Sequence, residues 1–143
     1  MERVTSSALI SSQTVLCIFN LLRDIGLNTS HKGTKYINKA VQIVILSDNE
    51  LINLNNIYTL ISDYYHNVTP KQIKNSITYA LDSRNKTKSK LNFEKNFNFK
   101  YDEYYFTNKI IVEEIARVIQ LKQNWTKKII FVQLIKFVLS YFC

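Results

Sequence analysis

Lys71, Gln72, Lys74, Asn75, Thr78 and Tyr79 put two ammonium groups, two amides and two hydroxyls into one short stretch. Ile73, Ile77, Ala80 and Leu81 are interleaved with them at a spacing of three and four. On a helix the four apolar residues share one face, and the six polar ones fall elsewhere, free to meet a partner. Ammonium groups bind phosphate, carboxamides pair with adenine edges, and hydroxyls serve either. The chemistry on offer is recognition of a nucleic acid rather than bond breaking.

Nothing else in the chain competes as reaction chemistry. It has no glycine-rich phosphate loop, no nucleophile motif and no paired-ligand spacing, so no enzyme is expected. Asp24, Asp63, Glu113 and Glu114 read as surface charges or as cap and dipole partners. His31 and His66 read as surface or turn residues. Neither histidine lies in a Cys/His cluster at metal spacing, so no metal and no cofactor are expected.

The element that must position the polar set starts at Thr69-Pro70-Lys71-Gln72. Pro70 is the only proline, and it falls at the first helical position, where a missing N–H costs nothing. Thr69 and Gln72 have the spacing of a capping box. The predicted helix runs to about Arg84. A helix over Asn53–Asn67 precedes it, with Leu54, Ile57, Tyr58 and Ile61 facing inwards and Asn67 as a candidate left-handed terminator. Two helices joined by a three- or four-residue turn, the second with a cationic and amide-rich face, have the layout of a helix-turn-helix that reads DNA.

Charge points the same way. Residues 1–66 hold five basic and five acidic residues, so the whole net charge of +8 lies in residues 67–143. Between Pro70 and Lys100 eight basic residues face two acidic ones. A one-sided positive field suits a polyanion. The plainer alternative is a solvated basic surface.

At 143 residues and 46% hydrophobic, the chain is long enough for one domain with a real core. Its two glycines and single proline all lie between periodic segments, which favours helices joined by short turns. Cys17 reads as a small buried hydrophobe and Cys143 closes the sequence. No disulfide framework or secretory signal is evident, so a cytoplasmic location is expected.

A first helix is predicted over Ser12–Ile25, with Val15, Ile18, Phe19, Leu22 and Ile25 inside and Gly26 as its stop. A second begins near Gly33 or Thr34, with Ile37, Ala40, Val41 and Val44 inside. Ser47-Asp48-Asn49-Glu50 is another candidate capping box. In residues 85–106, Leu91, Phe93, Phe97, Phe99 and Tyr101 alternate with polar residues, which taken alone suggests a β-hairpin wing. The competing reading is a short helix followed by a loop pinned by aromatic anchors. Thr107 and Asn108 would cap a last helix to about Lys122, with Val112, Ile115, Ala116 and Ile119 inside.

From Ile129 to Cys143 only Gln133, Lys136 and Ser140 are polar, and they share one narrow helical stripe. The segment is too short to span a bilayer. Three outlets are open: packing on its own domain, pairing in a homodimer, or membrane association through residues 129–143 with Lys127 and Lys128 at the headgroups. A polar stripe on an apolar helix favours the first two.

These pieces in this order resemble the C-terminal DNA-binding effector domain of the stage-zero sporulation protein A family. The likeness covers roughly Ser11 to Lys122. It rests on Gly26, on Lys32-Gly33 followed by Tyr36, Ile37, Ala40 and Val41, and on Ile57-Tyr58 with Ile61. Thr69-Pro70 with Ile73, Ile77, Ala80 and Leu81 carries it further, as does Thr107-Asn108. The family domain is all-helical with no wing, which implies a loop or short helix over 85–106. The sequence departs from the family where recognition matters. The family's recognition helix is rich in arginine, with a glutamate and a histidine. Here the matching positions are Gln72, Lys74, Asn75, Thr78 and Tyr79, so the family's target site does not carry over. Residue 67 lies near one extra residue. The family usually carries a phosphoacceptor receiver domain, and with about ten residues before the first helix none is expected on this chain.

The expectation is therefore an all-α, compact bundle of about six helices containing a helix-turn-helix. Residues 1–122 would form the DNA-binding domain, and residues 123–143 an apolar helical tail outside the resemblance. The function expected is sequence-specific regulation of transcription through double-stranded DNA. Lys71, Gln72, Lys74, Asn75, Thr78 and Tyr79 would read it, and Lys32, Arg84, Lys86 and Lys88 would hold its backbone. The rival is a protein-interaction module derived from a helix-turn-helix that has stopped reading DNA.

Overall fold

A computed structural model describes residues 10–47 and 53–142. Among the described residues the architecture is all-α. The helices are α1 (Ser12–Asp24), α2 (Lys32–Leu46), α3 (Leu54–Tyr65), α4 (Pro70–Asp82), α5 (Lys86–Phe97) and α6 (Asn108–Phe142), with one 3-10 turn at Glu103–Tyr105. The candidate capping box at Ser47–Glu50 lies largely outside the described residues; Ser47 itself ends α2.

The core forms where the apolar spacings meet. Ile18, Leu22 and Ile25 of the first helical segment, Ile37, Ala40 and Val41 of α2, and Ile57, Tyr58 and Ile61 of α3 are all buried. So are Ile73, Ile77, Ala80 and Leu81 of α4 and Ile111, Val112, Ile115, Ala116 and Ile119 of α6. Cys17 is half-buried and packs against this cluster.

Residues 85–106 form no hairpin. Asn85 caps α5 by accepting from the Lys88 amide at 3.0 Å, and Asn98 ends it at φ +62°. The alternation misleads because two structures share it. Phe93 and Phe97 are four apart and lie on one buried helical face, whereas Phe99 and Tyr101 belong to the loop that follows. Phe93 gathers the loop, with ring centroids 5.8 Å from Tyr101, 5.6 Å from Tyr105 and 5.7 Å from Phe106. The polar positions of α5 also have work. Ser89 donates to the carbonyl of Ile25, and the Asn92 amide donates to that of Asp24 at 2.7 Å. A helix end leaves its last carbonyls without partners, and α5 supplies them here for α1. Gly26 is what lets α5 come so close. At φ +101°, a Cβ on it would lie 2.3 Å from the Asn85 carbonyl oxygen.

Two helix ends differ from expectation. The left-handed residue closing α3 is His66, at φ +65°, not Asn67. Its amide still makes the helical bond to the Ser62 carbonyl at 2.9 Å, and its left-handed backbone then turns the chain out of the helix one residue early. The last helix does not end near Lys122. It runs unbroken for 35 residues, from Asn108 to Phe142, because no glycine or proline interrupts it.

Candidate nucleic-acid interface

The turn between α3 and α4 is built by local hydrogen bonds. The Ser62 hydroxyl donates to the Val68 carbonyl. Thr69 Oγ1 accepts from the Gln72 amide at 3.2 Å, and Gln72 Oε1 accepts from the Thr69 amide at 2.9 Å. The predicted capping box is thus complete. Gln72 has committed its carbonyl oxygen to it and keeps only its amide N–H groups for a partner.

With its apolar face in the core, α4 exposes Lys71, Gln72, Lys74, Asn75, Thr78, Tyr79 and Asp82. Two neighbours hold it from either side. On one side α2 crosses it at Gly33, where a Cβ would stand 2.0 Å from the carbonyl oxygen of Ser76 and 2.6 Å from its carbon. Only a glycine permits that approach. On the other side Asn108, at the start of α6, donates to the Lys74 carbonyl at 3.2 Å and to the Tyr58 hydroxyl at 3.0 Å. The Thr78 hydroxyl lies 3.0 Å from the Lys74 carbonyl and 3.3 Å from Asn108 Oδ1. Thr78 is therefore tied into the scaffold and offers its methyl group rather than a free O–H. Burial pushes the Tyr58 phenol above its ordinary pKa, against the lowering effect of the Asn108 bond, so it stays a neutral hydroxyl.

The close crossing at Gly33 brings the start of α2 onto the outer face of α4. His31, Lys32, Gly33, Asn75, Ser76 and Tyr79 line a shallow cleft of about 310 Å³. Tyr79 is 64% exposed, so it is not a packing residue, and its ring lies 5.6 Å from that of His31. Lys32, distant in sequence, thereby joins Asn75 and Tyr79 at one site. His31, read from the sequence as a surface or turn residue, is half-buried in this cleft. It stands at the N-cap of α2 without a side-chain capping bond, and its Nδ1 is buried with no partner. Its place immediately before Lys32-Gly33 was the available signal.

Arg84 is a correction. Expected to hold a DNA backbone, it is turned inwards and 7% exposed. Its guanidinium donates to Ser89 Oγ at 3.1 Å, the Leu81 carbonyl at 2.9 Å, the Tyr101 hydroxyl at 3.1 Å and Glu103 at 2.9 Å. It also lies 3.5 Å from the centre of the Phe106 ring. Four of its five N–H donors are taken within the fold, so Arg84 locks α4, α5 and the aromatic loop together. Lys86 stays exposed and Lys88 half-buried on α5.

Among the described residues no three His, Cys, Asp or Glu side chains gather as metal ligands, and no helix is long and apolar enough to cross a membrane. The tail does not fold back on the domain: its apolar side chains from Ile129 to Tyr141 are exposed. A family model described as the sporulation initiation factor Spo0A C terminal matches residues 18–119. No curated protein and no solved structure matches.

Proposed function

Since this chain belongs to the sporulation initiation factor Spo0A C-terminal family, a helical DNA-binding domain, we propose that it is a sequence-specific regulator of transcription that lays α4 in the major groove. The observation that supports this most is the exposed face of α4. Lys71, Lys74, Asn75 and Tyr79 stand out from a helix whose opposite side is fully buried, with Lys32 beside them.

The N-terminal half of such a helix enters the groove, which favours Lys74 and Asn75 as the readers of base edges. Asn75 suits adenine, where the family's arginines suit guanine. Lys71 and the N–H groups at the start of α4 suit one phosphate, and Lys32 another. Thr78 contributes an apolar contact, for which a thymine methyl is the match. Tyr79 and the free amide of Gln72 flank these. Asp82 lies at the far end of the helix, away from the leading residues.

The test is fluorescence anisotropy with genomic fragments at two salt concentrations, comparing wild type with Lys74→Ala/Asn75→Ala. Selective retention that falls steeply with salt, and loss of selectivity in the double variant, is the expected result. Equal binding by both proteins at low salt would overturn the DNA reading in favour of a protein-interaction module.

A further inference from the structure

Among the described residues, the last hydrogen bond between α6 and the body of the domain runs from the Gln123 amide to Thr14 Oγ1 at 3.2 Å. Beyond it the helix continues from Asn124 to Phe142, roughly 28 Å at 1.5 Å per residue, with no further hydrogen bond to the other described helices. From Ile129 onwards it is apolar apart from Gln133, Lys136 and Ser140, and every described side chain from Asn124 is exposed, with Trp125 at 66%, Phe131 and Phe137 at 62% and Leu139 at 58%. An apolar surface of this extent marks an interaction site.

We propose that this segment docks the protein on an anionic lipid surface. Two features select lipid over a second copy of the chain. The first is the width of the apolar arc. At 100° per residue, Phe131, Leu134, Ile135, Phe137, Val138 and Leu139 spread around most of the helix, leaving only the Gln133, Lys136 and Ser140 stripe. Pairing with one partner helix buries a two-in-seven seam and leaves the other sides in water. Lipid covers all of them. The second feature is charge. No acidic residue follows Glu114, whereas Lys122, Lys127, Lys128 and Lys136 do. Lys127 and Lys128 stand at the base of the apolar stretch beside Trp125, where an interfacial helix keeps its cations and its indole. Lys136 lies on the polar stripe and reaches the headgroups through its long stem. The stretch from Ile129 to Phe142 is roughly 21 Å long, well short of a hydrocarbon core of about 30 Å. The helix therefore lies in one leaflet, tilted, and does not cross.

The experiment is vesicle flotation of the full chain without DNA, using vesicles of phosphatidylcholine alone or with one third phosphatidylglycerol. Emission of Trp125, the only tryptophan, is followed in parallel. Flotation with the anionic vesicles and a blue shift of Trp125 on adding them are expected. Phe131→Ser/Phe137→Ser, both on exposed sites, should weaken partitioning at least tenfold with the fold intact by circular dichroism. Lys127→Gln/Lys128→Gln should cost about 25-fold, near fivefold per lysine, on anionic vesicles only. The proposal is overturned if wild type does not float, or if it floats equally well with either pair changed. It is also overturned if Trp125 is already blue-shifted without lipid in a concentration-dependent oligomer that ignores vesicles, the signature of a second copy.

Discussion

Gly33→Ala isolates the contact that aligns α2 with α4. Alanine is the better helix former, so local propensity alone would raise stability by about 0.5–1 kcal/mol. The tertiary structure opposes this. The new Cβ would lie 2.0 Å from the Ser76 oxygen and 2.6 Å from its carbonyl carbon, and both are backbone atoms that cannot swing aside. To reach even a 3.0 Å contact, α2 must retreat from α4 by about 1 Å, a gap that already forfeits a quarter to a half of the dispersion attraction across it. Overpacking of this kind costs about 1–3 kcal/mol, and a rigid obstacle places it at the upper end. Net of the propensity gain, the variant should lose about 2 kcal/mol. For a chain of this size that is a fall in Tm of about 8 °C. Thermal unfolding followed by circular dichroism at 222 nm measures it, with Lys32→Ala, exposed and adjacent, as the unaffected control. An unchanged or raised Tm in Gly33→Ala would refute the close crossing. DNA affinity should fall with it, because the same retreat carries Lys32 away from Asn75 and Tyr79.

Thr69→Ala removes half of the capping box and should cost about 1 kcal/mol in urea unfolding, with no change in the helical signal at low denaturant. Arg84→Ala should cost about 2–4 kcal/mol, because Ser89 and the Leu81 carbonyl lose a buried partner, yet it should leave the salt dependence of DNA binding by the folded protein unchanged. Lys32→Ala should lower the slope of log affinity against log salt by about 0.9, as loss of one phosphate contact predicts. Glu103 holds its carboxyl below the usual 4.5 because the Tyr101 hydroxyl and then Arg84 donate to it. A depressed folded pKa contributes stability that is complete above the ordinary value and is lost as pH falls through the folded one. Wild type should therefore lose an increment of stability below pH 4.5 that Glu103→Gln lacks, read as converging urea midpoints on acidification.

Much of this fold was legible because spacing and caps agreed. Thr69, Pro70 and Gln72 announced α4, and Ile73, Ile77, Ala80 and Leu81 announced its buried face. What sequence could not give was long-range apposition. Arg84 looks like any surface arginine until Tyr101 and Glu103 return to meet it. Lys32 and His31 become neighbours of Asn75 and Tyr79 only because Gly33 meets Ser76. The wing reading failed for a local reason: an alternation that crosses a helix end imitates a strand when half of it lies in a loop. The helical tail was anticipated, but not its continuity with the last helix: between Lys122 and Ile129 there is no glycine or proline to make the expected break.

The continuity of α6 has a mechanical meaning. One end, at Asn108, is bonded to the backbone of α4, and the other end is the apolar tail, roughly 52 Å away along a single 35-residue rod. A flexible tether would only raise the local concentration of the domain. A rod also passes on direction and twist, so whatever grips the tail sets the angle at which α4 is presented. Each residue inserted near Gln123 would turn that grip by 100° about the axis, and seven would nearly restore it. The chain is built as a lever, with its fulcrum at the buried face of Ile111–Ile119.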